Sequence, residues 1–209
     1  MFIGVYNLSV FLTYLGLSFS VVGMALAFLG FIPAAIMCLI LSGVCDMFDG
    51  TVARACKRTE REKKFGVQID SLVDTVSFGV FPVVLGICMG FTSRINIIIY
   101  VIYVLAAVIR LAYFNVLAEE KSLLPKKGKH SCYYGLPVTS IAIILPFTYN
   151  LNIFLHPIIF VKAFTLVMLV VAILFVLNFR IKKPTGIWFV ICSLLAVIEI
   201  AIISASMIW

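Results

Sequence analysis

Long apolar runs separated by short charged ones set the frame of this chain. Met1–Phe11 is short and mixed, an expected interfacial lead-in to a first run at Leu8–Leu29 that turns at Gly30. Phe31–Cys56 is a second run, and its last turns carry Asp46, Asp49 and Arg54. After the charged link Lys57–Lys64 comes Val67–Phe91, in which Gly79, Pro82, Gly86 and Gly90 leave room for kinks or close helix contacts. Asn96–Leu117, Gly135–Leu151, Ile158–Phe179 and Gly186–Trp209 follow, the last apolar enough to be a seventh span. Runs of this length predict transmembrane helices. The expected fold is therefore an all-α polytopic membrane protein with six to seven transmembrane helices, built as one domain over 1–209.

Composition agrees with the pattern. The 209 residues are 64% hydrophobic and 12% charged, with mean hydropathy +1.20, where soluble domains carry about 25% charge. A soluble protein with a large core is excluded. The net charge of +7 is not spread as a nucleic-acid surface would be, since thirteen of the sixteen Lys and Arg fall within Arg54–Lys64, Lys121–Lys129 and Arg180–Lys183. Basic clusters between spans mark the cytoplasmic side and suit anionic headgroups. With those three inside, Arg94 and Lys162 lie near the outer face and Arg110 lies within the fourth span. The N-terminus is then cytoplasmic. No Lys or Arg precedes Arg54, so a cleavable signal is not expected and the first span stays in the membrane. Six cysteines form no CxxC pair and mostly sit in apolar runs, as small buried residues do.

The chemistry concentrates between Asp46 and Asp74, a stretch that holds all four aspartates. Asp46 and Asp49 are spaced i, i+3, and Asp70 and Asp74 i, i+4, so on helices each pair projects from one face. Apolar runs precede the first pair and follow the second, which predicts an antiparallel hairpin with four carboxylates together near one membrane surface. Such charges repel strongly unless cations neutralise them. Two divalent ions would do so, and oxygen-only ligands favour magnesium, manganese or calcium over zinc. A structural or proton-relay cluster is another use of buried acids, and a cation transporter a third. Transport sites usually lie near the bilayer midplane on broken helices, whereas these acids lie at the cytoplasmic ends of spans.

Written out, the pattern is Asp46-x2-Asp49-Gly50-x2-Ala53-Arg54-x11-Gly66-x3-Asp70-x3-Asp74. It resembles the signature of the CDP-alcohol phosphotransferases, integral membrane enzymes that build phospholipid headgroups, with every fixed residue type present in order. One spacing departs from that signature, the gap after Arg54, which the family usually holds to about eight residues. The extra residues are expected in a longer helix end or loop among Lys57–Lys64, facing solvent. The resemblance implies that Asp46, Asp49 and Asp70 hold two divalent cations, Mg2+ or Mn2+, with Asp74 as a further ligand and general base. It also implies that Gly50, Ala53 and Gly66 admit the nucleotide and that Arg54 grips phosphate in bidentate fashion. Tight helix packing is the other use of those small residues.

A second stretch, Arg110-Leu-Ala-Tyr-Phe-Asn-Val116 followed by Tyr134-Gly-Leu-Pro-Val138, resembles the RLARFNV and GLPV segments of the small bacterial and archaeal phosphatidylserine synthases. Together the two resemblances cover about Leu8 to Pro146, and they imply transfer of a phosphatidyl group from CDP-diacylglycerol to the hydroxyl of L-serine. Arg110, Asn115 and Lys121 are then candidates for the serine pocket. A structural ion pair with an aspartate is the other reading of Arg110, and fixing a helix end the other reading of Asn115. Tyr113 stands where the second arginine is expected, leaving Lys121, Lys126 or Lys127 to supply that charge. Glycerol 3-phosphate or inositol phosphate as acceptor, or an archaeal ether lipid as donor, belongs to the same chemistry. An acceptor phosphate would want more than one cation, which the tyrosine at 113 disfavours. His130, Tyr133, Tyr134 and His156 read as loop, interface or structural residues, and Glu199 has no obvious partner. The resemblance further implies a homodimer in the cell (inner) membrane, with the active site cytoplasmic and membrane lipids, not nucleic acid, around it.

Overall fold

The computed structural model describes residues 4–6, 8–123, 133–181 and 186–208, most of them helical. Helix α1 (Leu8–Phe28) turns at Gly30 into α2 (Ile32–Ala55). Gly30 has φ +86°, a conformation glycine adopts without strain, and Pro33 sits in the first turn of α2, where its missing N–H costs nothing. The next rod comprises α3 (Glu60–Asp74), one π-helical stretch at Thr75–Val80, and α4 (Phe81–Cys88). It starts earlier than the sequence suggested. Glu60–Lys64 are not a link but the first turns of α3, which begins with a capping box. The Glu62 carboxylate accepts from the Thr59 backbone N–H at 2.8 Å, and the Thr59 hydroxyl accepts from the Glu62 N–H at 3.3 Å. The extra residues before Gly66 therefore lengthen a helix end.

Helix α5 (Arg94–Leu123) runs 30 residues, longer than expected at both ends. A strap follows in which β1 (Tyr133–Tyr134) pairs antiparallel with β2 (Arg180–Ile181), and the Gly135 N–H donates to the Phe179 carbonyl at 2.9 Å. Helix α6 (Ile141–Asn150) is shorter than the run around it because Gly135, at φ +70°, and Pro137 hold the entry extended. Single 3₁₀ turns at Val138–Ser140 and Leu151–Ile153 flank it. Helices α7 (Pro157–Val176) and α8 (Gly186–Ile208) complete the chain.

Among the described residues, five stretches are long and apolar enough to cross a membrane: Val10–Phe28, Ile32–Ala55, Glu60–Cys88, Arg94–Glu120 and Pro157–Val176. Shorter apolar helices among the described residues occupy Val138–Ile153 and, within α8, Cys192–Ser204. This is a polytopic helical membrane protein. Between helices in lipid, association relies on close packing and polar contacts, not on hydrophobic transfer, and both are present. A Cβ on Gly23 of α1 would press on the Phe81 ring and the Cys38 Cβ, and one on Gly43 of α2 would meet the Ala142 Cβ. Buried hydroxyls stitch three elements together, with Ser20 of α1 2.9 Å from Ser42 of α2 and 2.7 Å from Ser77 of the π stretch. Glu199 does have a partner: Asn150 at the end of α6 donates to its carboxylate, and α8 is held there. The Ile and Val side chains left exposed along α5 suit lipid.

Candidate active site

The antiparallel descent of α2 and α3 brings the four aspartates together at one end of the bundle. Ligand oxygens of Asp46, Asp49 and Asp70 lie within 4.8 Å of one another. Within hydrogen-bonding reach, the carboxyl of Asp46 meets that of Asp74, and the carboxyl of Asp49 meets that of Asp70. Asp49 and Asp74 are buried, Asp46 and Asp70 half-buried. The longer gap has not turned the second pair away. From α1, the Thr13 hydroxyl donates to Asp49 Oδ2 at 3.1 Å. Beneath the cluster a cavity of about 10 Å³ is lined by Thr13, Gly16, Ser42, Asp46, Asp49 and Asp74 among others.

Above the aspartates the cationic side chains line up with small residues. Arg54 is exposed and donates from Nη2 to Thr51 Oγ1 at 3.0 Å, so its guanidinium lies back along α2 beside Gly50. A Cβ on Gly50 would be 3.6 Å from Arg54 Nη1. Ala53 is half-buried on the same helix end. Gly66 lies one turn before Asp70 on α3, and Arg58 is laid against it, with Nη1 3.4 Å from where a Cβ would stand. Arg58 Nε is buried without a hydrogen-bond partner among the described residues. Arg58 had no place in the sequence pattern. Its only signal there was that it falls within the unusually long gap.

Arg110 is buried in the C-terminal half of α5, its guanidinium 4.6 Å from the Phe114 ring centroid and within the field of Asp74. Gly135 gives it space: a Cβ there would lie 2.9 Å from Arg110 Nη1. The two halves of the second motif, far apart in sequence, thus meet at one guanidinium. Beside it a cavity of about 200 Å³ is lined by Ile109, Arg110, Tyr113 and Phe114 of α5 and by Phe175–Asn178 at the end of α7. Asn115 Oδ1 accepts from Ser71 Oγ at 3.0 Å, which ties α5 to α3 next to Asp70. Ser71 is a contact that sequence reasoning missed, since one hydroxyl between two aspartates carries no pattern. The Lys121 side chain and Lys126, Lys127 and His130 lie outside the described residues.

The model of the CDP-alcohol phosphatidyltransferase family matches residues 6–177, and so takes in every aspartate and Arg110. The chain belongs to that family. It is 38% identical over 112 residues to the CDP-diacylglycerol–serine O-phosphatidyltransferase of Saccharomyces cerevisiae, covering 53% of this chain and 40% of that protein. It is 35% identical over 115 residues to the archaetidylserine synthase of Methanothermobacter thermautotrophicus, covering 54% and 45%. A CDP-diacylglycerol–serine O-phosphatidyltransferase of Methanocaldococcus jannaschii is 36% identical over 107 residues, covering 51% and 46%. In each case the match spans less than half the length of the relative.

CDP-alcohol phosphatidyltransferases use divalent cations, and the donor set here suits them. Four carboxylates converge in largely apolar surroundings, and oxygen-only ligands of that charge fit a hard divalent ion. Uncompensated, the same cluster would be destabilised by mutual repulsion. Asp46, Asp49 and Asp70 form the tight group, and Asp74 adjoins it through Asp46. Within this member of the family, Arg54 with Gly50 and Ala53 borders the cluster on α2, Gly66 borders it on α3, and Arg110 stands on the α5 side.

Proposed function

We propose that this chain transfers a phosphatidyl group from CDP-diacylglycerol to the hydroxyl of L-serine, giving phosphatidylserine and CMP. The observation that carries the reading is the convergence of Asp46, Asp49, Asp70 and Asp74 beside Arg54, in a family whose relatives bear that transferase name. Two divalent cations, magnesium or manganese, held by the four aspartates, would supply charge neutralisation to the diphosphate and to the departing CMP. Arg54 pairs with a phosphate oxygen, while Gly50, Ala53 and Gly66 let the nucleotide approach the helix backbones. Asp74 accepts the proton of the serine hydroxyl. The serine oxygen forms a bond to the lipid-side phosphorus as the bond from that phosphorus to the CMP oxygen breaks. CMP takes the electron pair, and the proton on Asp74 passes to water.

Arg110, the buried cation nearest this chemistry on α5, faces the serine carboxylate, with Asn115 and Lys121 at the same end of the helix. Partial burial makes a charged pair there stronger than it would be in water. The reading places one domain in the cell (inner) membrane as a homodimer, with the N-terminus and the active site cytoplasmic and the lipid donor entering from the bilayer. The archaetidylserine synthase among the relatives supports a second reading of the donor as a CDP-activated ether lipid.

Incubating purified protein with CDP-diacylglycerol or its ether-lipid counterpart tests both. Each is offered with serine, glycerol 3-phosphate or inositol phosphate, and products are identified by mass spectrometry. Phosphatidylserine with serine-dependent CMP release is expected, lost on chelation and restored by magnesium or manganese. A phosphatidylglycerol phosphate product, CMP release that ignores serine, or turnover without divalent ions would overturn the reading.

A further inference from the structure

We propose that Thr13 of α1 is a positioning residue for the aspartate cluster, its hydroxyl fixing one oxygen of Asp49 so that the other is presented to a divalent cation. The inference rests on reading Asp46, Asp49 and Asp70 as the ion site. Thr13 is 6% exposed, sits in a helix without charged residues, and donates to Asp49 Oδ2 at 3.1 Å across 36 residues of sequence. Ser18 on the same helix turns its hydroxyl back to the Tyr14 carbonyl at 2.9 Å, the usual habit of a helical hydroxyl, whereas Thr13 reaches over to α2.

The approach is built into the interface. One turn along from Thr13, a Cβ on Gly16 would lie 3.3 Å from the Cys45 Cβ and 3.6 Å from the Ser42 carbonyl oxygen, so α1 lies hard against the turn of α2 that precedes Asp46. One turn back, Val10 is fully buried. The hydroxyl therefore has little freedom. A carboxylate free to rotate offers a cation either oxygen or both, and ordering it costs side-chain entropy at the moment of binding. With Oδ2 committed to Thr13, Asp49 is already ordered toward Asp46 and Asp70. Hydrogen-bonded carboxylates of this kind lose about 10–100-fold in metal affinity when the outer partner is removed. On this view α1, which carries no acidic residue, is part of the ion site and more than a membrane anchor.

The test is Mn2+ binding by detergent-solubilised protein without lipid substrate, read from the free Mn2+ signal in electron paramagnetic resonance. T13V keeps the shape and loses the hydroxyl, and should bind Mn2+ about 10–100-fold more weakly. T13S keeps the hydroxyl and should bind as wild type does. T13A gives the same reading without the extra methyl, should T13V fail to elute as a single folded species. D49A serves as the control that removes the ligand itself. Wild-type affinity in T13V or T13A overturns the proposal, as does T13S binding no better than they do. Wild-type protein that binds no Mn2+, or binds it undiminished in D49A, overturns instead the reading of the cluster as an ion site.

Discussion

Asp74, buried as Asp49 is, adjoins the tight group from the α3 side and lies in the field of Arg110. A base has to touch both the ion site and the nucleophile, and in the proposed reading Asp74 has Arg110, the cation assigned to the acceptor, at hand. D74N keeps the shape and removes the proton acceptor. It should retain binding of CDP in calorimetry while turnover falls about 10²–10⁴-fold; full turnover in D74N would remove the base assignment. The aspartates were legible in the sequence because i, i+3 and i, i+4 spacing on two helices is a geometric statement that needs no tertiary knowledge. Arg110 was legible because a charge inside a span demands a reason. Thr13, Ser71 and Arg58 were not. A hydroxyl in an apolar run has a satisfied local state open to it, and only the approach of a second helix turns it into a contact.

Among the elements, the π stretch at Thr75–Val80 is the feature that no local pattern announced. It follows directly on Asp74, and such stretches leave carbonyls that the regular ladder does not use. Here the Phe78 carbonyl accepts from the Tyr103 hydroxyl at 2.7 Å, with Tyr103 fully buried, and Ser77 is turned onto Ser20. The irregular turn is thereby tied to both α5 and α1, which fixes the rotation of α3 that aims Asp70 and Asp74. Y103F removes the donor and strands a buried carbonyl, at a cost of about 1–3 kcal/mol. A lower melting temperature of the detergent-solubilised protein is expected, and an unchanged one would mean that another donor replaces the tyrosine. The start of α3 departs from the hydropathy pattern for a different reason. Its charged first turn looks like a link when only hydropathy is followed, although Thr59-x-x-Glu62 is a helix-start signal in the sequence itself. Similarly α6 is shorter than its apolar run, since apolar residues extend into the stretch where Gly135 and Pro137 do not permit a helix.

For the molecule as a whole, the arrangement of ends decides what the site can reach. The C-terminal end of α2, the N-terminal end of α3, the C-terminal end of α5 and the start of α8 all adjoin the basic stretches, and the aspartates lie at that end of the α2–α3 hairpin. Lys162, in the first turns of α7, and Arg94, at the start of α5, mark the other end. In the proposed orientation, anionic headgroups and a negative leaflet would hold the basic end on the cytoplasmic side, each Lys or Arg there contributing about 1 kcal/mol of attraction. The proposed substrates, a nucleotide headgroup and a free amino acid, would be met on that side too, so the proposed orientation and the proposed chemistry agree in sign. In a cysteine-free background, K63C sits on the exposed first turns of α3, and F154C on the exposed turn before α7. A membrane-impermeant maleimide should label K63C in inside-out vesicles and leave it untouched in right-side-out ones. The pattern for F154C should be the reverse. Labelling of K63C from outside would put the carboxylates on the face where neither the nucleotide nor the basic clusters belong, and the orientation would have to be inverted.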